Sequence, residues 1–427
     1  MNLVNWTRIP DFACMVLMIW AFASVTRHTR SNVAKIWLTG WLMILVYSIA
    51  ALFTQIPGIW GGLAHIVFAV SLVWAGLLFT YASIPYRDTS SSRWLLAMLF
   101  ASSTLYMTIL LVSPGRHWAL NLAALLLGLG PLAVTLASMH SVNDRLRWFV
   151  VSFCGALSIF LLIVQNSHSY GHVLAGNAVL FSVYAGNCFF AALTYRRATA
   201  GAFVAIFGFL GWALVFIAEP LLPAVWPQVV IESEVWHLPA FVVAIGMMLL
   251  LLEDQIAHNK HLALHDALTG LPNRRLFEDR MASALERSRR TGTTMALLVI
   301  DLNDFKQIND TMGHHVGDIV LQRVASAFAD RVRRSDTVSR TGGDEFSVIL
   351  EEPTNRDEAV QVGRSLQQLL HDPLEIEDRK VNVGVSVGIA IFPEDGSDAE
   401  SLYVAADLKM YGAKRRSQES RQGASAS

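Results

Sequence analysis

Charge is what the first 252 residues lack: they hold 17 Asp, Glu, Lys and Arg side chains, against 50 in the remaining 175. That scarcity excludes an ordinary soluble domain for the first part, whereas the second has ordinary soluble composition and enough length for one core. Cysteine is scarce too. Cys14, Cys154 and Cys188 all lie in the apolar part, so disulfide scaffolds and CxxC thiolate sites are excluded from the second part, which suits a reducing cytosol. The three read as buried small apolar residues. No basic block or like-charge tail occurs in a chain of net charge −1, which excludes the polybasic footprint of nucleic-acid binding. A Walker A motif is missing as well, and with it phosphate cradling by a P-loop. The N-terminus has no basic leader and Asp11 precedes the first apolar run, so that run reads as a retained membrane helix rather than a cleaved signal peptide.

What the first part does contain is long apolar runs. Nine can be placed, over 11–26, 36–53, 59–83, 94–113, 118–139, 148–165, 173–194, 201–219 and 236–252, each long enough to cross a bilayer. The loops after the first, third, fifth and seventh runs hold nine cations: Arg27, Arg30, Lys35, Arg87, Arg93, Arg145, Arg147, Arg196 and Arg197. The opposite side has Arg8 and Arg116. This bias puts the N-terminus outside and the C-terminal part in the cytoplasm. His65, Asn121, Asn166, Asn177, Asn187 and Glu219 lie in or near the runs. The favoured reading for them is helix-to-helix hydrogen bonding, with Glu219 before Pro220 marking a helix end, over a ligand site. A transporter or channel with a regulatory cytoplasmic domain is a rival class, but no internal repeat or matched pair of broken helices supports it.

The last run continues without Pro or Gly into "LLLLEDQIAHNKHLALHD", where Leu249, Leu252, Ile256, Asn259 and Ala263 follow a 3-4-3-4 spacing. That is either a short heptad-like seam with one polar core position, of the kind that fixes register in a parallel dimer, or a plain amphipathic connecting helix. From there the pattern predicts a helix over 274–290, a strand over 294–302, a helix over 315–333 and hairpin strands over 336–340 and 345–350. A helix over 357–371, a strand over 381–392, a helix over 398–416 and a disordered tail over 417–427 complete the chain. Alternating strands and helices around a hairpin indicate one α+β sheet domain. In the hairpin "SRTGGDEFSVIL" the glycines read as turn residues supplying φ > 0. Asp301 sits at the exit of a buried strand, and a neighbouring hairpin would set Glu345 beside it. Two carboxylates and a backbone carbonyl make an oxygen-only site of the kind Mg²⁺ takes together with phosphate oxygens.

Four blocks, "DALTGLPNRR" (266–275), "DLNDFKQINDTMGHHVGD" (301–318), "RTGGDEF" (340–346) and "VSVGIAIFPEDG" (385–396), stand in that order. Through them residues 260–416 resemble the GGDEF family of diguanylate cyclases; the resemblance does not reach the membrane part. It implies a palm-like α+β fold related to nucleotidyl cyclases. The expected architecture is therefore a multi-span all-α membrane domain (1–252), a connecting signalling helix (253–265) and a palm-like α+β cytoplasmic domain (266–416), in a bacterial inner membrane. It also implies a reaction, the condensation of two GTP into cyclic di-GMP with loss of two pyrophosphates. That reaction runs in a homodimer whose two bound GTP molecules attack each other.

By matching position, Asp301, the carbonyl of Leu302 and Glu345 would hold Mg²⁺, with Mn²⁺ as the alternative ion. The general base is Glu345, which is favoured, or Asp344, or neither. Asn309 and Asp318 would select guanine, His314 would contact substrate or cap its helix, and Gly343 would let substrate approach the backbone. Lys306 and Lys414 would reach phosphates or remain surface lysines. Arg333 and Asp336 of "RRSD", with Arg364, match a product-inhibition site. The sequence departs from the family pattern at two places. Ser417, Gln418 and Glu419 replace its closing Gly-Arg-Asn, leaving no charge at Gln418 for a phosphate, and Asn303 stands where a second Asp is frequent. The rival reading is a catalytically silent receptor binding cyclic di-GMP through Arg333 and Asp336; the intact acids Asp301, Asp344 and Glu345 argue against it.

Overall fold

A computed structural model describes residues 9–27, 31–84, 90–138, 144–167, 171–195, 199–228, 233–352, 355–376 and 379–425. They form two compact units, Met1–Ile256 and Ala257–Ser427.

The first unit is all helix among its described residues: α1 (Ile9–Arg27), α2 (Asn32–Phe53), α3 (Ile59–Ser83), α4 (Ser90–Val112), α5 (His117–Ser138), α6 (Asp144–Ser167), α7 (Gly171–Thr194), α8 (Ala200–Val225) and α9 (Leu238–Leu264). Six of them, α2, α3, α4, α7, α8 and α9, are long and apolar enough to cross a membrane. In the other three the apolar stretch is shorter, over Phe12–Arg27, His117–Gly130 and Val150–Asn166. Of the loop cations, Arg8, Arg30, Arg87, Arg196 and Arg197 lie outside the described residues.

Several polar side chains inside this unit tie helix to helix. Asn187 on α7 donates to the Gly76 carbonyl of α3 (3.0 Å) and accepts from Thr80 (2.9 Å). Tyr106, Gln165, Asn121 and Asn166 chain α4, α5 and α6 together, with Gln165 donating to Asn121 at 2.7 Å. Among the described residues, His65 bonds only back to its own helix, at the Gly61 carbonyl. Two expectations are corrected. Glu219 does not end a helix, because α8 runs on to Val225 with Pro220 and Pro223 inside its last turns. Cys14 is not buried but faces outward from α1, and Cys154 and Cys188 are only half-buried.

The second unit is a four-stranded antiparallel sheet in the order β2-β3-β1-β6 with helices on both faces. Its strands are β1 (Met295–Asn303), β2 (Thr337–Arg340), β3 (Glu345–Glu351) and β6 (Gly384–Phe392), with a separate pair β4 (Leu374–Ile376) and β5 (Arg379–Val381). Its helices are α10 (Arg274–Thr291), α11 (Phe305–Met312), α12 (His314–Arg331), α13 (Arg356–Gln368) and α14 (Ala399–Ser425).

β1 is central and all nine residues are buried, which is why it reads as an unbroken apolar run. Strand alternation divides the core. Ala296, Leu298, Ile300 and Leu302 join the cluster under α12 and α13, while Met295, Leu297 and Val299 join that of Phe277, Met281, Leu402 and Met410 from α10 and α14. Continuing the alternation, Asp301 belongs to the α14 side. Three local expectations change. The 315–333 helix is preceded by α11; the strand expected over 381–392 starts at Gly384, with Val381 paired in β5 instead; and α14 runs to Ser425 through the residues read as a tail.

Gly388 sets the seat of α14 on the sheet. A Cβ there would run into the Ala406 carbonyl and the Met410 amide nitrogen, both backbone atoms that cannot rotate aside. Gly388→Val is therefore expected to destabilise the fold by about 1–3 kcal/mol, read as a fall in melting temperature. Turnover should fall with it, because α14 carries a residue of the site described next. An unchanged melting temperature would show that α14 is not held this way.

Candidate active site

The end of β1 and the β2–β3 hairpin bring the acids together. Asp301 is paired in register with Glu345 on β3 and with Ser386 on β6, so the expected neighbourhood of strand and hairpin is present. The Leu302 amide donates to the Asp344 carbonyl (3.2 Å), closing the hairpin tip onto β1. From α14, Lys414 reaches across and its Nζ donates to Asp301 Oδ1 at 2.6 Å. Asp301 is only 7% exposed.

The electrostatics show what the site is short of. Burial pushes the Asp301 carboxyl up and the Lys414 hydrogen bond and charge pull it down. Asp344 and Asp304 push back, and the balance lies above the ordinary carboxylate range. Glu345 is held up by burial first, then by Asp301, Asp344 and Asp407, against Lys414. Burial opposes the charge on Lys414, but its hydrogen bond to Asp301 and the charges of Asp301, Asp344 and Asp304 hold it above its usual range. One ammonium thus serves several carboxylates, and a cation would relieve the excess.

Among the described residues no cluster of three or more His, Cys, Asp or Glu side chains is gathered as a cage. An ion here would take two carboxylates and a backbone carbonyl from the chain and complete its shell with phosphate oxygens and water. That partial, all-oxygen set fits Mg²⁺ better than Zn²⁺.

The hairpin glycines work differently from expectation. Neither Gly342 nor Gly343 has a positive φ, because four residues, Thr341 to Asp344, join β2 to β3 and no tight two-residue turn is needed. Size is what matters at Gly342, where a Cβ would sit 2.9 Å from Glu345 Oε2. At Gly343 a Cβ would meet nothing within 4 Å, so that face of the tip is open to a ligand.

Sequence reasoning assigned no role to Arg340. Its guanidinium donates to the Gly343 carbonyl through Nε (3.1 Å) and Nη2 (2.7 Å), and to Asp266 Oδ1 through Nη1 (2.8 Å). Asp266 also accepts from the backbone and hydroxyl of Thr269 (2.9 and 2.7 Å). The 266–275 block is thereby fastened to the hairpin tip. Tyr403, which hydrogen-bonds Thr341, and Asp407 were also missed; both lie on α14 within electrostatic reach of Glu345.

The nucleotide-selecting candidates lie on the short helix after β1 and on the next one. Asn309 on α11 packs its side-chain oxygen against Gly317 of α12, where a Cβ would collide with it, and Asp318 is the next residue of α12, with an exposed side chain. His314 opens α12 and is exposed; the N-cap is Gly313, with no side-chain cap hydrogen bond. Lys306 is exposed on α11. Asn303 hydrogen-bonds Ser386 at 2.8 Å, on the β6 side of the strand and away from Glu345. The side chains of Ser417 and Gln418 lie outside the described residues.

Arg333 and Asp336 stand apart from this group, before β2. Asp336 accepts from the amides of Arg333 (3.0 Å) and Glu351 (3.2 Å). The Arg333 guanidinium, largely exposed, donates to Glu358 at 3.0 Å, and Arg364 is exposed on the same helix, α13.

Residues 263–420 match the family model described as "Diguanylate cyclase, GGDEF domain". Through these residues the chain belongs to the GGDEF family. The GGDEF domain is 41% identical over 153 residues to the bifunctional diguanylate cyclase/cyclic di-GMP phosphodiesterase MucR of Pseudomonas aeruginosa, covering 36% of this chain and 22% of that protein. It is 38% identical over 171 residues to the diguanylate cyclase TpbB of the same species, covering 40% of this chain and 39% of the relative. The chain thus spans well under half the length of either relative. Among solved structures, the crystallised GGDEF domain of TpbB is 37% identical and covered to 92%, with 35% of this chain and a TM-score of 0.34.

Proposed function

We propose that this chain is a membrane-anchored diguanylate cyclase that condenses two GTP into cyclic di-GMP and releases two pyrophosphates. The observation that carries the reading is the in-register pair Asp301–Glu345 with Lys414 drawn onto Asp301. This is an acid-rich, cation-seeking pocket at the open tip of a hairpin. The relatives named for the same activity add to it.

In this reading Asp301, the Leu302 carbonyl and Glu345 hold Mg²⁺. A bound ion of this kind neutralises phosphate charge and lowers the pKa of a hydroxyl near it. Lys414 exchanges its bond to Asp301 for a phosphate oxygen. Glu345 or Asp344 accepts the proton of the attacking 3′-hydroxyl. Asn309 and Asp318 choose guanine, since a carboxylate accepts from N1–H and N2–H₂ together and adenine lacks that donor pair. Each domain holds one GTP, so two copies must face each other. The nine apolar runs and the excess of Lys and Arg on one side favour a cytoplasmic GGDEF domain and an outside N-terminus in an inner membrane.

Solubilised full chain given GTP and Mg²⁺ should release two pyrophosphates per cyclic dinucleotide and none of that product from ATP. Asp318→Ala should narrow the preference for GTP over ATP at least tenfold. Hydrolysis of GTP without a cyclic product would sink the reading, and cyclic di-GMP binding without turnover would replace it by a receptor. Regulation by product is assigned to Arg333 and Asp336. Arg333→Ala should leave the initial rate unchanged and raise the inhibition constant for cyclic di-GMP more than tenfold; unaltered inhibition would remove these residues from any product site.

A further inference from the structure

Helices α3 to α7 of the first unit surround a cavity of about 330 Å³. Among the described residues, none that lines it carries a charge. Its walls are aliphatic and aromatic except for three hydroxyls and the Cys154 thiol. Two of the hydroxyls already donate their proton to the protein. Thr80 lies 2.9 Å from Asn187 Oδ1 and 3.0 Å from the Gly76 carbonyl, and Ser103 donates to the Phe100 carbonyl at 3.2 Å. The third does not. Ser182 on α7 is 8% exposed, lines the cavity and makes no hydrogen bond among the described residues. A buried hydroxyl without a partner is costly, and this one borders space in which a partner would fit.

The cavity does not come from loose packing, because the helix pairs on either side of it are pinned. Between α3 and α7, a Cβ on Gly76 would lie 2.5 Å from Val183 Cγ1, and Asn187 donates to the Gly76 carbonyl. Thr194 at the end of α7 donates to the Ser83 carbonyl at the end of α3 (2.5 Å). Between α5 and α6, a Cβ on Gly128 would lie 2.9 Å from the Cys154 carbonyl oxygen, and Ser158 donates to the Ala124 carbonyl at 2.8 Å. Small residues and interhelical hydrogen bonds thus fix each pair at close range, and the walls cannot close on the space between them. Left unfilled, space of this size forfeits contacts along all of its lining.

We propose that this cavity is a receptor site for a small neutral amphiphile, a single hydrocarbon chain whose one hydroxyl or carbonyl group pairs with Ser182. Volume sets the size of the ligand. An apolar cavity of about 150 Å³ takes one benzene, so this one has room for about twelve carbons. That is too little for the two acyl chains of a phospholipid, and a plain hydrocarbon would leave Ser182 unpaired. The uncharged lining sets the chemistry of the head, because an ionised group would enter without a counter-charge. An alcohol or ketone fits, and a fatty-acid anion does not. Gly186 of α7 also lines the cavity, and a Cβ there would meet nothing within 4 Å. A larger side chain at Gly186 therefore grows into the ligand's space without displacing a wall. The site belongs to the helical unit alone and does not depend on the enzymatic reading.

The test uses the full chain in lipid nanodiscs and a photoactivatable diazirine analogue of decanol, with the labelled peptides mapped by mass spectrometry. Labelling of α3, α6 and α7 at the cavity is the expected result, suppressed at least tenfold by excess decanol and at least tenfold by Gly186→Phe. Decanol should compete at least fivefold better than decane in the wild type, and Ser182→Ala should abolish that preference. The second variant removes a single oxygen, so it decides the matter even where Gly186→Phe does not fold. Labelling that is spread over the outer faces of the helices and is indifferent to both variants would overturn the site. A phospholipid that native mass spectrometry finds on the wild type, that decanol does not displace and that Gly186→Phe loses, would give the cavity to the membrane and overturn the choice of ligand. Binding is read here without turnover, so failure of the enzymatic reading and failure of this site are told apart.

Discussion

Glu345→Gln is expected to cut cyclic di-GMP formation by about 10²–10⁴-fold and, at the same time, to raise the melting temperature of the metal-free protein. Both effects come from one cause. In the folded domain burial and the charges of Asp301, Asp344 and Asp407 hold the Glu345 carboxyl above its ordinary range. The unfolded chain binds that proton less tightly. Above about pH 4.3, the ordinary glutamate value, ionised Glu345 therefore favours the unfolded state. The penalty grows as pH rises through the folded value and is constant beyond it. Glutamine removes the charge and the penalty while keeping the shape. Calorimetry on wild type and variant in EDTA at pH 7 should show the gain, and GTP turnover with Mg²⁺ should show the loss. Near-normal turnover would remove Glu345 from the ion's shell, and a lower melting temperature would contradict the electrostatic account. Asp344→Asn, measured beside it, separates the roles of the two neighbouring acids.

Arg340→Ala is expected to have the second largest effect. It removes three hydrogen bonds, two to the Gly343 carbonyl and one to Asp266, so that a hairpin carbonyl loses its side-chain donor and a partly buried carboxylate loses its charged partner and keeps only Thr269. Stranded polar groups of this kind cost about 1–3 kcal/mol. Because the hairpin tip also positions Asp344 and Glu345, turnover should fall at least tenfold with little change at the nucleotide-selecting residues. The pH dependence carries a distinct sign. Burial raises Asp266, but the hydrogen bonds from Arg340 and Thr269 outweigh it and its carboxyl lies below the ordinary range. Its contribution to stability is therefore fully present above the unfolded value near pH 3.9 and is lost as pH falls through the folded value. Wild type should lose stability on that acid side, and Arg340→Ala should flatten the slope. An unchanged slope would show that Asp266 owes its low pKa to Thr269 alone.

The legible parts of this protein are those set by periodicity or by close spacing. β1 is buried on both faces, so "ALLVI" announces a central strand, and Asp301 at its end stands out as an acid where apolar residues would be expected. Its partner Glu345 follows from the hairpin, because register places them opposite each other. α11 was hidden because its eight residues are largely polar and are bounded by backbone specials, Asp304 at φ 57 and Gly313 at φ 88. Too short for a pattern, β4 and β5 have three residues each and draw their pairing from each other. The hairpin glycines were misread for a physical reason: loop length removed the need for positive φ, and what remained was room for the Glu345 carboxylate. Arg340 stood in plain view within "RTGGDEF", yet one of its acceptors, Asp266, lies 74 positions away. No local pattern shows such a contact. In the first unit, hydropathy reveals the helices but not which polar groups meet, since the Asn187–Gly76 bond joins α7 to α3 across 111 positions.

The most direct test of the central claim is the formation of cyclic di-GMP by the full chain in lipid nanodiscs, from GTP, as Mg²⁺ is titrated in from EDTA, with Asp301→Asn alongside. Product that appears with Mg²⁺ in the wild type, and is reduced at least a hundredfold in Asp301→Asn at every ion concentration, is the predicted result. Product formation of equal rate in the two proteins, or none in the wild type at saturating GTP and Mg²⁺, would contradict it.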